Sequence, residues 1–344
     1  MKFEKTINRY RIMIKLKLVA FILIFQILSC SKSNGEEKQT VEEESQEETV
    51  TPDEEVEAEV EEENTADWKT IPVPADAGAG NVWEFQELSD DFDYDAPADA
   101  KGIEFDKKWT DFYHNQWKGP GLTEWRRENS LVADGNLQMI ANRAEGSNKI
   151  NLGCITSKEQ VVYPVYIEAN VKIANTTLAS DVWLLSSDDT QEIDIVEAYG
   201  ASYSELADSD QTWYAERIHI SHHMFIRDPF QDYQPTDAGS WYRDGTLWRE
   251  DYHIVGVYWR DPFHLEYYID GKLVRTTSGS EMIDPNNFAE GKGLYKPMDI
   301  IINAEDQTWR SDKNITPSDK ELENKENNTF KVDWIRIFKP VPAN

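Results

Sequence analysis

HLEYYIDGKLVRTTS, residues 264–278, carries two runs of alternating apolar and polar side chains on either side of Asp270-Gly271. Successive side chains of a strand point to opposite faces, so alternation marks a strand with one buried face. Asp270-Gly271 supplies the two positive φ values of a type I′ turn, whose twist suits the strands it joins. The segment is predicted to be a β-hairpin. Outward from it, short runs of the same character recur: VWEFQEL from Val82, NLQMIA from Asn136, VYIEANVKI from Val165, DVWLLS from Asp181, RIHISHH from Arg217, HIVGVYW from His253, MDIIIN from Met298 and VDWIRIF from Val332. They are rich in β-branched and aromatic residues, and Gly, Pro, Asp and Asn fill the gaps. Long helical periodicity is missing. One all-β domain, a sandwich of two sheets, is expected over residues 68–344.

The first 67 residues read differently. Lys2, Arg9, Arg11, Lys15 and Lys17 precede the apolar run LVAFILIFQIL, which is the layout of a secretory signal peptide over residues 1–29. The run contains or adjoins Gln26 and Lys17 and falls short of the ~20 residues of a membrane span. Ile27-Leu28-Ser29-Cys30 closes it and resembles the bacterial lipobox, which implies lipidation of Cys30 and a membrane contact through that anchor alone. Residues 30–67 are rich in Glu, Thr, Ser and Val with almost no large apolar side chain, so they form an acidic tether rather than a core. Cys154, in LGCIT, is expected to be a buried structural thiol.

Charge narrows the partners. The formal net charge is −30, with about +6 in residues 1–35 and about −14 in residues 36–63, which leaves roughly −22 on the remainder. Such a body repels nucleic acid and densely sulfated polymers, and a neutral polymer is the easier ligand.

The segment SDVWLLSSDDTQEIDIVEAYG, residues 180–200, holds the candidate chemistry. On a strand, Glu192 and Asp194 share one face while Ile193 and Ile195 point into the core. Strict alternation sends Glu197 to the wrong side, and a β-bulge at Ile195-Val196 would return it. Two carboxyl groups about 5–5.5 Å apart suffice for glycoside hydrolysis with retention, one attacking the anomeric carbon and one protonating the leaving oxygen. Three acids at a fixed spacing recur by chance about twice in a chain with 65 acids among 344 residues, so the flanking Ile, Val and Trp carry the argument.

DVWLLSSDDTQEIDIVEAYG resembles the signature of glycoside hydrolase family 16 in its bulged ExDxxE form, in wording nearest to the β-agarases. The likeness extends to DFYHNQWKGPGLTEW from Asp111, HISHHMFIRDPFQDYQP from His219, INAEDQTWR from Ile302 and VDWIRIFKP from Val332. The resemblance implies a β-jelly-roll of two stacked antiparallel sheets with an open concave cleft. It also implies that Glu192 is the nucleophile, Asp194 its assistant and Glu197 the acid/base.

A sugar cleft needs flat apolar faces and hydroxyl partners. Trp117 and Trp125 fall in the Gly/Pro-rich loop NQWKGPGLTEW and are expected in the cleft, whereas Trp259 and Trp334 alternate with apolar neighbours and read as core. The resemblance adds Trp183 beside the nucleophile, His223 and Arg227 as donors to the sugar, and Glu305, Asp306 and Trp309 at the end of a strand. Arg227 could instead pair with Asp228 or Asp232. HISHH puts His219, Ser221 and His223 on one face and His222 on the other, a spacing that does not suit zinc. Similar proteins often hold a structural calcium, for which Asp333 would give the side chain, with carbonyls near Ser89 and Gly135. No cofactor is expected for catalysis.

The leading expectation is an endo-acting β-agarase on the outer membrane, cutting β-1,4 links between galactose and 3,6-anhydrogalactose in agarose. Porphyran or κ-carrageenan would require basic residues in the cleft, where only Lys118 and Arg227 can be placed. A non-catalytic galactan-binding lectin on the same scaffold is the alternative of a different class.

Overall fold

The computed structural model describes residues 67–343. The signal segment, Cys30 and the acidic stretch through residue 66 lie outside the described residues.

Two large antiparallel sheets dominate, each of eight strands. The back sheet runs in the order Lys272–Ser278, His264–Ile269, His253–Asp261, Val165–Lys172, Thr329–Pro342, Asn136–Ile140, Ser130–Ala133, with Asn81–Phe85 also paired to the long strand Thr329–Pro342. The cleft sheet runs Phe230–Tyr233, Ile218–Arg227, Gln191–Ala198, Ala179–Ser186, Met298–Glu305, Cys154–Ser157, Trp109–Thr110, with Trp241–Tyr242 added beside Ile218–Arg227. This is the jelly-roll architecture. The hairpin at Asp270-Gly271 has φ values of 48° and 74°, as the turn chemistry demands. Among the described residues helices are short, the longest being Gly102–Lys108.

Alternation along the strands builds the core between the sheets. Val182, Leu184, Ile193, Ile300 and Ile302 of the cleft sheet meet Ile167, Ala169, Val257, Leu265 and Ile335 of the back sheet, all fully buried. The outer face of the back sheet carries a second apolar cluster, in which Trp83 and Phe85 pack on Tyr166, Tyr258, Tyr268 and Phe338. Within that face, Glu168 accepts from Arg336, and Arg336 also donates to the carbonyls of Trp68 and Ile71 at 2.7 Å. Both charges are buried, so removing one would strand the other.

The cleft face of the second sheet depends on one irregularity. Glu192 pairs with Leu185 and Asp194 with Trp183, but the next pairing is Val196 with Val182 and then Glu197 with Asp181. Ile195 therefore has no partner on that side. On the other side, Ile195 and Val196 together face the single residue between His219 and Ser221. This is a β-bulge at the expected position, and it puts Glu197 back on the face of Glu192 and Asp194. Ile193, Ile195 and Val196 are fully buried.

Deleting Ile195 should remove the bulge and leave Glu192, Asp194 and Glu197 at successive spacings of two, so that strict alternation keeps all three on the cleft face. Ile195→Ala keeps the bulge and loses about 2–5 kcal/mol of packing. Per folded molecule, measured with circular dichroism and an activity assay on the same samples, I195A and the deletion should both keep glycosidase activity. Loss of activity in a deletion variant that folds would show that the bulge does more for Glu197 than choose its face.

Candidate active site

Three strands lay their polar faces side by side. Strand Ala179–Ser186 contributes Asp181 and Trp183, strand Gln191–Ala198 contributes Glu192, Asp194 and Glu197, and strand Ile218–Arg227 contributes His219, His223, Phe225 and Arg227. With Trp117, Trp241, Glu305, Gln307 and Trp309 they line a groove of about 910 Å³. Its size and mixed aromatic and polar lining suit a carbohydrate ligand.

The charges in the groove are lopsided. Asp181, Asp189, Glu192, Asp194, Glu197, Asp232 and Glu305 face it, against Arg227, His219 and His223. Burial and the neighbouring Asp194 hold the Glu192 carboxyl well above the usual range. Burial also raises Asp194, although the nearby His223 opposes the shift. Glu305 is pushed up to about 8 by burial and by Glu197. Glu197 goes the other way: burial alone would raise it, but His219 and Tyr199 hold it at about 2. His223 loses stability as a cation through burial, yet Asp232, Glu192 and Asp194 raise it to about 10. Its Nδ1 donates to Asp232 at 2.8 Å, and its Nε2 lies 3.6 Å from Asp194 and 3.9 Å from Glu192. His223 is therefore an imidazolium that offsets two crowded carboxylates.

Six of the eight predicted substrate contacts line the groove: Trp117, Trp183, His223, Arg227, Glu305 and Trp309. Trp117 is 48% exposed and Trp309 39%. The indole of Trp183 donates to Asn303 at 2.6 Å, which fixes its ring. Arg227 stacks over Phe225 at 4.5 Å, and Asp232, which could have paired with it, takes His223 instead.

Trp125 and Asp306 are corrections. Trp125 is 1% exposed, donates to the Ala304 carbonyl at 3.0 Å and stacks on Tyr113 at 4.9 Å. Its strand Thr123–Trp125 pairs in parallel with Ile150–Leu152, so the loop signal ended two residues before it. Asp306 is also 1% exposed and accepts from the Leu122 amide at 2.8 Å, clamping the same loop. Gly121 permits that approach, since a Cβ there would sit 2.1 Å from the Asp306 carboxylate.

A family model described as "Beta-porphyranase A-D, GH16 domain" matches residues 83–340. The chain belongs to glycoside hydrolase family 16. Beta-agarase B of Zobellia galactanivorans is 65% identical over 293 residues, covering 80% of this chain and 83% of that protein. A beta-agarase of Phocaeicola plebeius is 56% identical over 293 residues, covering 80% and 91% respectively. The crystal structure of an inactivated mutant of beta-agarase B in complex with agaro-octaose superposes with a TM-score of 0.80, at 64% identity over 80% of this chain and 100% of that one.

Metal ligation fits this family 16 site poorly. Glu192, Asp194 and His223 bring ligand atoms within 4.8 Å of one another, but they form a set of three in which His223 already commits Nδ1 to Asp232. The expected calcium residues make contacts of their own. The Ser89 carbonyl accepts the ammonium of Lys108, and the Asp333 carboxylate accepts from Asn170 at 2.9 Å. Calcium requires six to eight oxygens, and no catalytic step here depends on one.

Sequence reasoning missed His219, Tyr199, Asp181, Trp241 and His114. Strand parity had placed His219 beside His223, which was a usable signal. His114 had none: it bridges Asp299 at 2.9 Å and Asp189 at 2.8 Å, residues far apart in sequence. Asp189 also accepts from Asn115, whose side chain accepts from the Trp117 amide. This chain of contacts holds the Trp117 loop over the groove.

Trp117 and Trp125 are adjacent rings with different work. Trp117→Ala should raise KM for the polymer about tenfold with little change in urea midpoint, as expected for loss of a sugar platform. Trp125→Ala should cost about 3–5 kcal/mol of stability, measured by urea denaturation. A stability loss at Trp117 as large as at Trp125 would refute the division.

Proposed function

We propose that this chain is an endo-acting β-agarase that hydrolyses β-1,4 galactosidic bonds of agarose with retention of configuration. Glu192 attacks the anomeric carbon and Glu197 protonates the leaving oxygen. Glu197 then takes a proton from the water that hydrolyses the glycosyl-enzyme. Asp194 lies between them, and two buried neighbouring carboxyls share one proton more readily than they carry two charges. The His223 cation lies 3.9 Å from Glu192 and 3.6 Å from Asp194, so the pair can carry one negative charge, which the attack requires on Glu192 with the proton passed to Asp194.

The observation that carries this reading is the set of three carboxyls on one face of a groove whose lining is acidic. Seven acidic residues line the groove and Arg227 is the lone Lys or Arg among the lining residues, so a sulfate ester finds little counter-charge there. A neutral galactan escapes that penalty. The names of the similar proteins support the same polymer, although the family model carries the name of porphyranases.

Reducing-sugar release from agarose, porphyran and κ-carrageenan, assayed side by side, should favour agarose. Glu192→Gln and Glu197→Gln should lower turnover by about 10²–10⁴ or more while agaro-oligosaccharide binding persists. A preference for either sulfated polymer would overturn the substrate, and full activity in both variants would overturn the mechanism.

The location of the enzyme belongs to the same reading. A lipidated Cys30 on the outer membrane would hold the domain where a polymer too large to enter the cell can reach it. Metabolic labelling with a palmitate analogue should mark the wild type and not Cys30→Ala, and protease added to intact cells should remove the domain. Labelling of C30A would sink the anchor.

A further inference from the structure

Glu197 accepts on both carboxyl oxygens. His219 Nδ1 lies 2.6 Å from Oε2, and Tyr199 donates to Oε1 at 2.5 Å. His219 is 3% exposed and stacks on Trp241, with ring centroids 4.4 Å apart and planes 27° apart. Tyr199 is equally buried and lies against the Arg310 guanidinium at 4.2 Å. Trp241 and His219 both line the groove, so a sugar chain lying in it would shield the His219–Glu197 contact from water.

This geometry poses a problem for a general acid. Glu197 needs a proton at the start of the reaction, yet its surroundings favour the carboxylate. We propose that His219 is a positioning residue that stores the proton Glu197 delivers, and that a bound galactan chain moves it from His219 Nδ1 onto Glu197. The proposal rests on Glu197 acting as acid/base.

The Nδ1–H bond breaks and an O–H bond forms on the Glu197 carboxyl, so the pair keeps its net charge. An ion pair loses the stabilisation of nearby water when a sugar covers it, whereas the neutral carboxylic acid and imidazole lose far less. Binding therefore loads the acid. After Glu197 protonates the leaving oxygen it is a carboxylate, and the proton it takes from water in the second half returns to His219 as product leaves. Asp181, Asp194 and Glu305, on the three central strands, favour a proton on the pair, while His223 and Arg310 oppose it. Tyr199 holds the carboxyl from its other oxygen in both states.

His219→Asn keeps a donor at the Nδ1 position but cannot store a proton. In this variant kcat on agarose should fall about 10- to 100-fold, and the basic limb of kcat/KM against pH should move down by about one unit or more. The limb moves down because the proton is then held by a carboxyl alone instead of by the pair. Affinity for an agaro-oligosaccharide, measured calorimetrically in an E192Q background, should stay within about twofold. A lower kcat with unmoved pH limbs, or an affinity loss that accounts for the lower kcat, would overturn the proposal. His219→Gln repeats the measurement if H219N folds poorly. Near-normal activity in E197Q would defeat the acid/base reading itself, whatever His219 does.

Discussion

A strand offers one face only every second side chain, and this protein needs three carboxyls on one face at spacings of two and three. The extra residue, Ile195, resolves the conflict by dropping out of the pairing with strand Ala179–Ser186 while staying fully buried. Its burial is what makes the bulge stable rather than slippery. A register slip would expose Ile193 and Ile195 and bury two carboxyls, which the core between the sheets forbids. The chemistry of the groove thus inherits its geometry from the packing beneath it.

The same packing sets the electrostatics. Seven acidic residues face one groove, and burial raises Asp181, Glu192, Asp194 and Glu305 while His219 and Tyr199 hold Glu197 down. His223 neutralises the Glu192 and Asp194 end, and His219 serves the Glu197 end. The two imidazoles sit four residues apart on strand Ile218–Arg227, a spacing that keeps both on the cleft face and sends His222 to the core. One strand therefore supplies the carboxyls and its neighbour supplies their counter-charges. Opposed strands make such matching local, because Glu192 pairs with His223 and Glu197 with His219 directly across the ladder.

Much of this was legible from the residues. Period-two alternation located the strands, Asp270-Gly271 identified its turn, and the parity argument demanded a bulge where one occurs. The placement of Trp125 and Asp306 was not legible, because a short parallel strand and a buried loop clamp leave no periodic trace. His114 was invisible for a related reason: its two carboxylate partners lie 75 and 185 residues away. Pattern reports the face a side chain takes within its own strand. It does not report which distant segment closes over that face.

Arg336 fastens the backbone of Trp68 and Ile71 to the outer face of the back sheet, and Trp68 stacks there on Trp334 with centroids 6.5 Å apart. That face is turned away from the groove, with the whole sandwich between. The first residues of the described chain therefore brace the back sheet and take no part in lining the groove.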